Sequence, residues 1–106
     1  MNRTVQLIVN PFGGTQDNRA LAQKALSTLN DHGIEVIVDF SERKGHAMKV
    51  ARSLSYAPEK TICGLGGDGT MHEIINGIMC RPPEERMPVG LLPGGTGNSF
   101  LEDVGV

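Results

Sequence analysis

The chain has 106 residues, 39% hydrophobic and 21% charged, and its ten Lys and Arg against twelve Asp and Glu leave a formal charge of −2. This is one domain's worth of sequence, able to bury roughly 65% of its unfolded surface without disulfides or a structural metal, and its charge balance excludes the broad positive field that nucleic-acid binding needs. No stretch approaches the ~18 uninterrupted apolar residues of a membrane span, and the first apolar run is too short for a signal-peptide core, so a soluble, reducing, cytoplasmic setting is expected, with peripheral contact at a membrane surface left open.

Val5-Gln6-Leu7-Ile8-Val9 is a β-branched run closed by Asn10-Pro11-Phe12-Gly13-Gly14, a buried strand feeding a glycine loop. Over about 18–31 the residues Leu21, Ala25, Leu26 and Leu29 share one helical face and Gly33 supplies the stop, with His32 suited to the negative end of the helix dipole. Ile34-Glu35-Val36-Ile37-Val38 is a second strand, ending at Asp39-Phe40. After Ser41-Glu42-Arg43-Lys44, a second helix places Ala47, Val50, Ala51 and Leu54 at offsets 0, 3, 4 and 7, with Pro58 beyond its end. Arg43, Lys44, His46, Lys49 and Arg52 form a basic patch that a solvated helix face explains as well as attraction of phosphates or anionic lipid.

A third strand over about 60–65 runs into Gly66-Gly67-Asp68-Gly69-Thr70, where a third helix begins with Met71, Ile74, Ile75 and Ile78 on its apolar stripe and His72 off it. Met48, Met71 and Met79 are read as core packing, and Cys63 and Cys80, seventeen positions apart, as small buried core residues matching neither a zinc pair nor a redox CxxC. The charged, proline-rich stretch 81–87 is a connection. Pro88-Val89-Gly90-Leu91-Leu92 is a fourth strand, followed by Pro93-Gly94-Gly95-Thr96-Gly97-Asn98 and an incipient helix from about Ser99. Alternation of this βαβαβαβ kind implies an α/β fold: a mostly parallel sheet with right-handed crossovers and helices on both faces, a three-layer α/β/α arrangement. Strand order 2-1-3-4 brings the three glycine loops together at the strand carboxyl ends, where open sheets of this type bind ligands.

The loop 66–70 joins backbone donors, a carboxylate and a helix N-terminus, a combination suited to a phosphate group with Mg²⁺ or a hydroxyl proton at Asp68. The plain structural alternative is a helix cap by Asp68 or Thr70, with Glu73 closing a capping box from Thr70. Recurrence of the glycine design in two further loops favours the functional reading. Neither glycine loop carries the lysine of a P-loop, and although Gly64-Leu65-Gly66-Gly67-Asp68-Gly69 satisfies GxGxxG, no strand-terminal acid follows at the ribose-binding distance, since Glu84 and Glu85 fall in a connection.

Asn10-Pro11-Phe12-Gly13-Gly14, Gly66-Gly67-Asp68-Gly69-Thr70-Met71-His72-Glu73-Ile74-Ile75-Asn76-Gly77 and Pro93-Gly94-Gly95-Thr96-Gly97-Asn98 together resemble the three ordered motifs of the diacylglycerol kinase catalytic domain, a family of lipid kinases related to NAD kinase. The resemblance implies the N-terminal, nucleotide-binding domain of an ATP- and Mg²⁺-dependent lipid kinase that transfers the γ-phosphate to a lipid hydroxyl. It implies nucleotide contacts from Asn10, Gly13, Gly14 and Ser41, a phosphate lining from Gly66, Gly67, Gly69 and Thr70, and Asp68 as proton acceptor or metal-linked carboxylate. Glu73 would support the site, and Gly95, Thr96 and Asn98 would form the opposite wall. No residue of the chain is assigned as a direct metal ligand. In the family a β-rich C-terminal domain carrying the lipid pocket follows, so a chain ending at Val106 is expected to bind nucleotide and to turn over lipid poorly or not at all. Asn98-Ser99-Phe100 replaces the Asn-Asp-Phe of many diacylglycerol kinases, which leaves a sphingoid or other lipid as acceptor. The competing readings are a phosphotransferase of the NAD kinase type and a non-catalytic nucleotide-sensing module.

Overall fold

The computed structural model describes residues 3–11 and 18–91. Four parallel strands, β1 (Thr4–Val9), β2 (Glu35–Phe40), β3 (Lys60–Leu65) and β4 (Val89–Leu91), form one sheet in the order β2-β1-β3-β4. The helices α1 (Asn18–Asp31), α2 (His46–Ser53) and α3 (Asp68–Met79) provide the crossovers. The two central strands read as near-continuous apolar runs because both of their faces are covered. Val5, Leu7 and Val9 of β1 pack with Cys63 and Leu65 of β3 and with Ala22, Ala25 and Leu29 of α1. Ile8 and Ile62 face the other way, against Ala47 and Ala51 of α2 and Ile74 and Ile78 of α3. The expected three-layer α/β/α architecture and strand order are thus both present.

α1 has the expected bounds, but its buried stripe runs Asn18, Ala22, Ala25, Leu29, with Leu21 and Leu26 on the flanks. The helix ends as Gly33 turns to φ 77°, letting the Ile34 N–H reach back to the Leu29 carbonyl at 3.0 Å while Ile34 itself is buried. His32 donates through Nδ1 to the Thr28 carbonyl at 2.9 Å, in keeping with its expected place at the helix end.

α2 and α3 lie against each other unusually closely. A Cβ on Gly77 would stand 2.5 Å from the Met48 carbonyl oxygen and 2.8 Å from the Ala51 Cβ, so only glycine lets the two backbones meet here. This contact also moves the buried face of α3 away from the stripe expected from hydrophobicity. Thr70, Ile74, Gly77 and Ile78 are buried, whereas Ile75 is 47% and Met79 57% exposed. Met48 and Met71 are half-buried. Cys80, expected in the core, is exposed because it follows the last buried turn of α3, while Cys63 is fully buried.

The connection after α3 is more structural than its composition implies. Arg81 is buried, and its guanidinium donates to the carbonyls of Ala51 and Arg52 at the end of α2, both at 3.1 Å, and to that of Glu85 at 2.9 Å. A cation at the C-terminal end of a helix meets its unsatisfied carbonyls and the negative end of its dipole, so no carboxylate partner is required. Met87 then enters the core beneath α2 and α3. Among the described residues no helix is long and apolar enough to cross a membrane.

Two substitutions test these contacts by urea denaturation. Gly77→Ala forces backbone apart and lowers stability by about 1–3 kcal/mol despite its higher helix propensity. Arg81→Met keeps much of the side-chain volume, strands carbonyls that water reaches poorly, and costs about 1–3 kcal/mol.

Candidate functional site

The carboxyl ends of β1, β2 and β3 are laced together before any side chain acts. The Asn10 N–H donates to the Leu65 carbonyl at 2.9 Å, and the Ser41 N–H to the Val9 carbonyl at 2.7 Å. Ser41 is buried, and its hydroxyl donates to the same Val9 carbonyl at 3.3 Å. Asn18, at the start of α1, donates through Nδ2 to the Asn10 carbonyl at 2.7 Å. Three loops therefore leave the sheet from fixed points.

Above these strand ends lies a cleft of about 510 Å³, lined by Asn10 from β1, residues 41–44 and Ala47 from the β2–α2 segment, and Gly67, Gly69, Thr70 and Glu73 from the start of α3. Six of the residues singled out from sequence meet here: Asn10, Ser41, Gly67, Gly69, Thr70 and Glu73. Asp68 sits between the two lining glycines, exposed, in the first turn of α3. Gly66 lies at the strand end, where a Cβ would come within 2.7 Å of Thr70 Oγ1 and 3.1 Å of Asn10 Cβ, so its glycine is demanded by packing. Gly13, Gly14, Gly95, Thr96 and Asn98, together with the expected helix from Ser99, fall outside the described residues.

Gly67 and Gly69 differ from Gly66. A Cβ at either would meet nothing within 4 Å, and neither has a positive φ. Conformation and packing both permit a larger residue at these two lining positions. The space beside these two exposed glycines is open, and glycines that leave such space allow a ligand close to the backbone.

The capping box, the plain structural alternative for this loop, is not formed. The N-cap of α3 is Gly67, with no side-chain cap hydrogen bond, and Thr70 lies inside the helix, its N–H donating to the Gly67 carbonyl at 3.1 Å. Glu73 turns instead across to α2 and accepts the Gly45 N–H through Oε1 at 3.1 Å. α2 likewise starts at Gly45 without a side-chain cap. Two helix N-termini, each the positive end of a dipole, thus border one cleft, an arrangement that favours an anion.

Arg43 and Lys44 line the cleft as well, beside Glu42. Sequence periodicity left these two cations as readily on a solvated face as at a ligand. The signal that places them is their position in the first residues after a strand carboxyl end rather than within the helix that follows. Lys49 and Arg52 of the same patch are exposed and do not line the cleft. His72 is also exposed. No group of three or more His, Cys, Asp or Glu suited to a metal ion occurs among the described residues.

Residues 4–106 match the diacylglycerol kinase catalytic domain. Sphingosine kinase 2 of Homo sapiens is 38% identical over 102 residues, an alignment covering 89% of this chain and 15% of that protein. Sphingosine kinase 1 of Arabidopsis thaliana is 32% identical over 108 residues, covering 94% of this chain and 22% of that protein. A crystal structure of a diacylglycerol kinase from Bacillus anthracis str. Sterne superposes with a TM-score of 0.72 at 31% identity, covering 98% of this chain and 34% of that one. The chain thus spans a minor part of each of these relatives. With a match over nearly its whole length, on the fold and motifs described above, the chain belongs to the diacylglycerol kinase catalytic domain family.

Proposed function

We propose that this chain is the nucleotide-binding part of a lipid kinase and that its cleft holds ATP, with Mg²⁺, for transfer of the γ-phosphate to a lipid hydroxyl. The observation that carries this reading is the pair Gly67 and Gly69, which line the cleft although neither backbone conformation nor packing requires glycine there. Polyphosphate oxygens brought against the start of α3 would meet backbone N–H groups and the positive end of its dipole. Arg43 and Lys44, which also line the cleft, would add positive charge.

Mg²⁺ takes few protein ligands and several oxygens from phosphate and water, so a single carboxylate beside a phosphate site suits it even without a three-residue cluster. Asp68, exposed in the first turn of α3 between the two lining glycines, would hold it or accept the proton of the lipid hydroxyl. Bound Mg²⁺ would supply neutralisation of the charge that develops on the transferred phosphate. Asn10 and Ser41, held at the ends of β1 and β2, would position the nucleotide against that carboxylate. The lipid, with any membrane contact, is assigned to parts of the longer relatives that this chain does not span. The sphingosine kinases among those relatives, together with Asn98-Ser99-Phe100, favour a sphingoid over a diacylglycerol acceptor.

Calorimetric titration of this chain with ATP and Mg²⁺, with NAD in parallel, tests the reading. Saturable binding of ATP without binding of NAD is expected, and the reverse preference overturns it in favour of the NAD kinase branch. Gly67→Ala and Gly69→Ala are expected to leave stability within about 1 kcal/mol of the parent, while weakening ATP binding by about tenfold or more, as loss of close backbone contact to phosphate requires. In a longer protein that carries this chain, Asp68→Asn is expected to lower phosphate transfer by about 100-fold or more without unfolding it. Unchanged turnover removes Asp68 from the chemistry.

A further inference from the structure

The segment 41–45 forms one wall of the cleft, and its backbone donors are engaged by side chains of the helices beside it. The Glu42 N–H donates to His46 Nδ1 at 2.8 Å, and the Gly45 N–H to Glu73 Oε1 at 3.1 Å. Gly45 has φ 87°, so the chain reverses sharply at the point that Glu73 holds. The two clipped peptides bracket Arg43 and Lys44, both of which line the cleft and are exposed.

The Glu73 clip is in register with the close contact of the two helices at Gly77. Gly77, one helical turn beyond Glu73, lies against Met48, about one turn beyond Gly45. The close approach of α2 and α3 at Gly77 therefore brings the start of α2 within reach of a carboxylate on the first turns of α3. A glutamate that serves as a cap or as a purely electrostatic group has no need of this register.

We propose that Glu73 is the positioning residue of the cleft: by holding the Gly45 N–H it fixes the turn that presents Arg43 and Lys44 to the phosphates of a nucleotide. The proposal rests on the nucleotide-binding reading for its ligand, while the clip itself can be measured without one. Glu73 acts here through its Oε1 as a hydrogen-bond acceptor. Glutamine retains that acceptor and leucine does not, which separates this role from direct contact with a metal or phosphate.

The test combines amide hydrogen exchange at Gly45 with titration of ATP and Mg²⁺, on this chain and on Glu73→Gln and Glu73→Leu. In Glu73→Leu, Gly45 exchange is expected to quicken by about tenfold or more, with ATP affinity falling and the dependence of that affinity on Arg43 and Lys44, read from Arg43→Gln and Lys44→Gln in each background, largely lost. Glu73→Gln is expected to restore Gly45 protection and most of the affinity. Unchanged Gly45 exchange in Glu73→Leu overturns the proposal, as does equal loss of affinity in the glutamine and leucine variants. If the parent chain shows no saturable ATP response, the nucleotide reading fails, and the exchange result alone then upholds or overturns the clip.

Discussion

The absence of a side chain at Gly77 sets the geometry of one whole side of the molecule. Because α2 can lie against the backbone of α3, both helices fit over the central strands, with Ile8, Ile62, Ile74 and Ile78 buried between them and the sheet. The same approach places their N-terminal ends side by side. The two uncapped helix starts, the carboxylate of Glu73 and the cations at 43 and 44 thereby share one cleft. At the other end of the pair, Arg81 binds the last carbonyls of α2 from the far end of α3, so the seam is closed at both ends by hydrogen bonds and in the middle by van der Waals contact.

The glycines of the central motif have distinct physical roles that a shared motif conceals. Gly64 lies beneath Ile74, and Gly66 beneath Thr70 and beside Asn10, so these two allow close packing. Gly67 and Gly69 face open space and Gly77 joins two helices. Within one stretch of sequence, the same residue type thus serves sheet packing, the lining of an open cleft and helix contact in turn. Only the middle pair lines the cleft.

Much of this was legible beforehand. β3 and α1 have the bounds read from composition and periodicity, and the strand order is the one expected from placing the glycine loops at neighbouring strand ends. Hydrophobic periodicity failed where burial depends on something other than hydrophobicity. It counted Ile75 into the core and gave no weight to Gly77, although the glycine is what turns the buried face of α3 toward α2. It treated 81–87 as a polar connection because a buried arginine satisfied by carbonyls looks, in sequence, like an exposed one. The capping pattern at Thr70 and Glu73 is a local rule, and it lost to a partner 28 positions away that only the tertiary fold supplies. Arg43 and Lys44 were visible as charges, but assigning them to the cleft needed the direction in which β2 ends.

The order β2-β1-β3-β4 also bears on how the molecule comes to have a site at all. β1 pairs with β2 after a single crossover, but its other edge pairs with β3, where Thr4 meets Lys60, a contact that closes a much longer loop of chain. Loop closure of that kind raises the entropic barrier to folding more than the local β1–α1–β2 unit does. The Asn10 to Leu65 hydrogen bond and the meeting of both helix starts at the strand ends exist only once that pairing is made. A partly folded chain holding just its first crossover has no cleft, so any ligand of this site acts solely on the finished sheet and draws the folding equilibrium toward it.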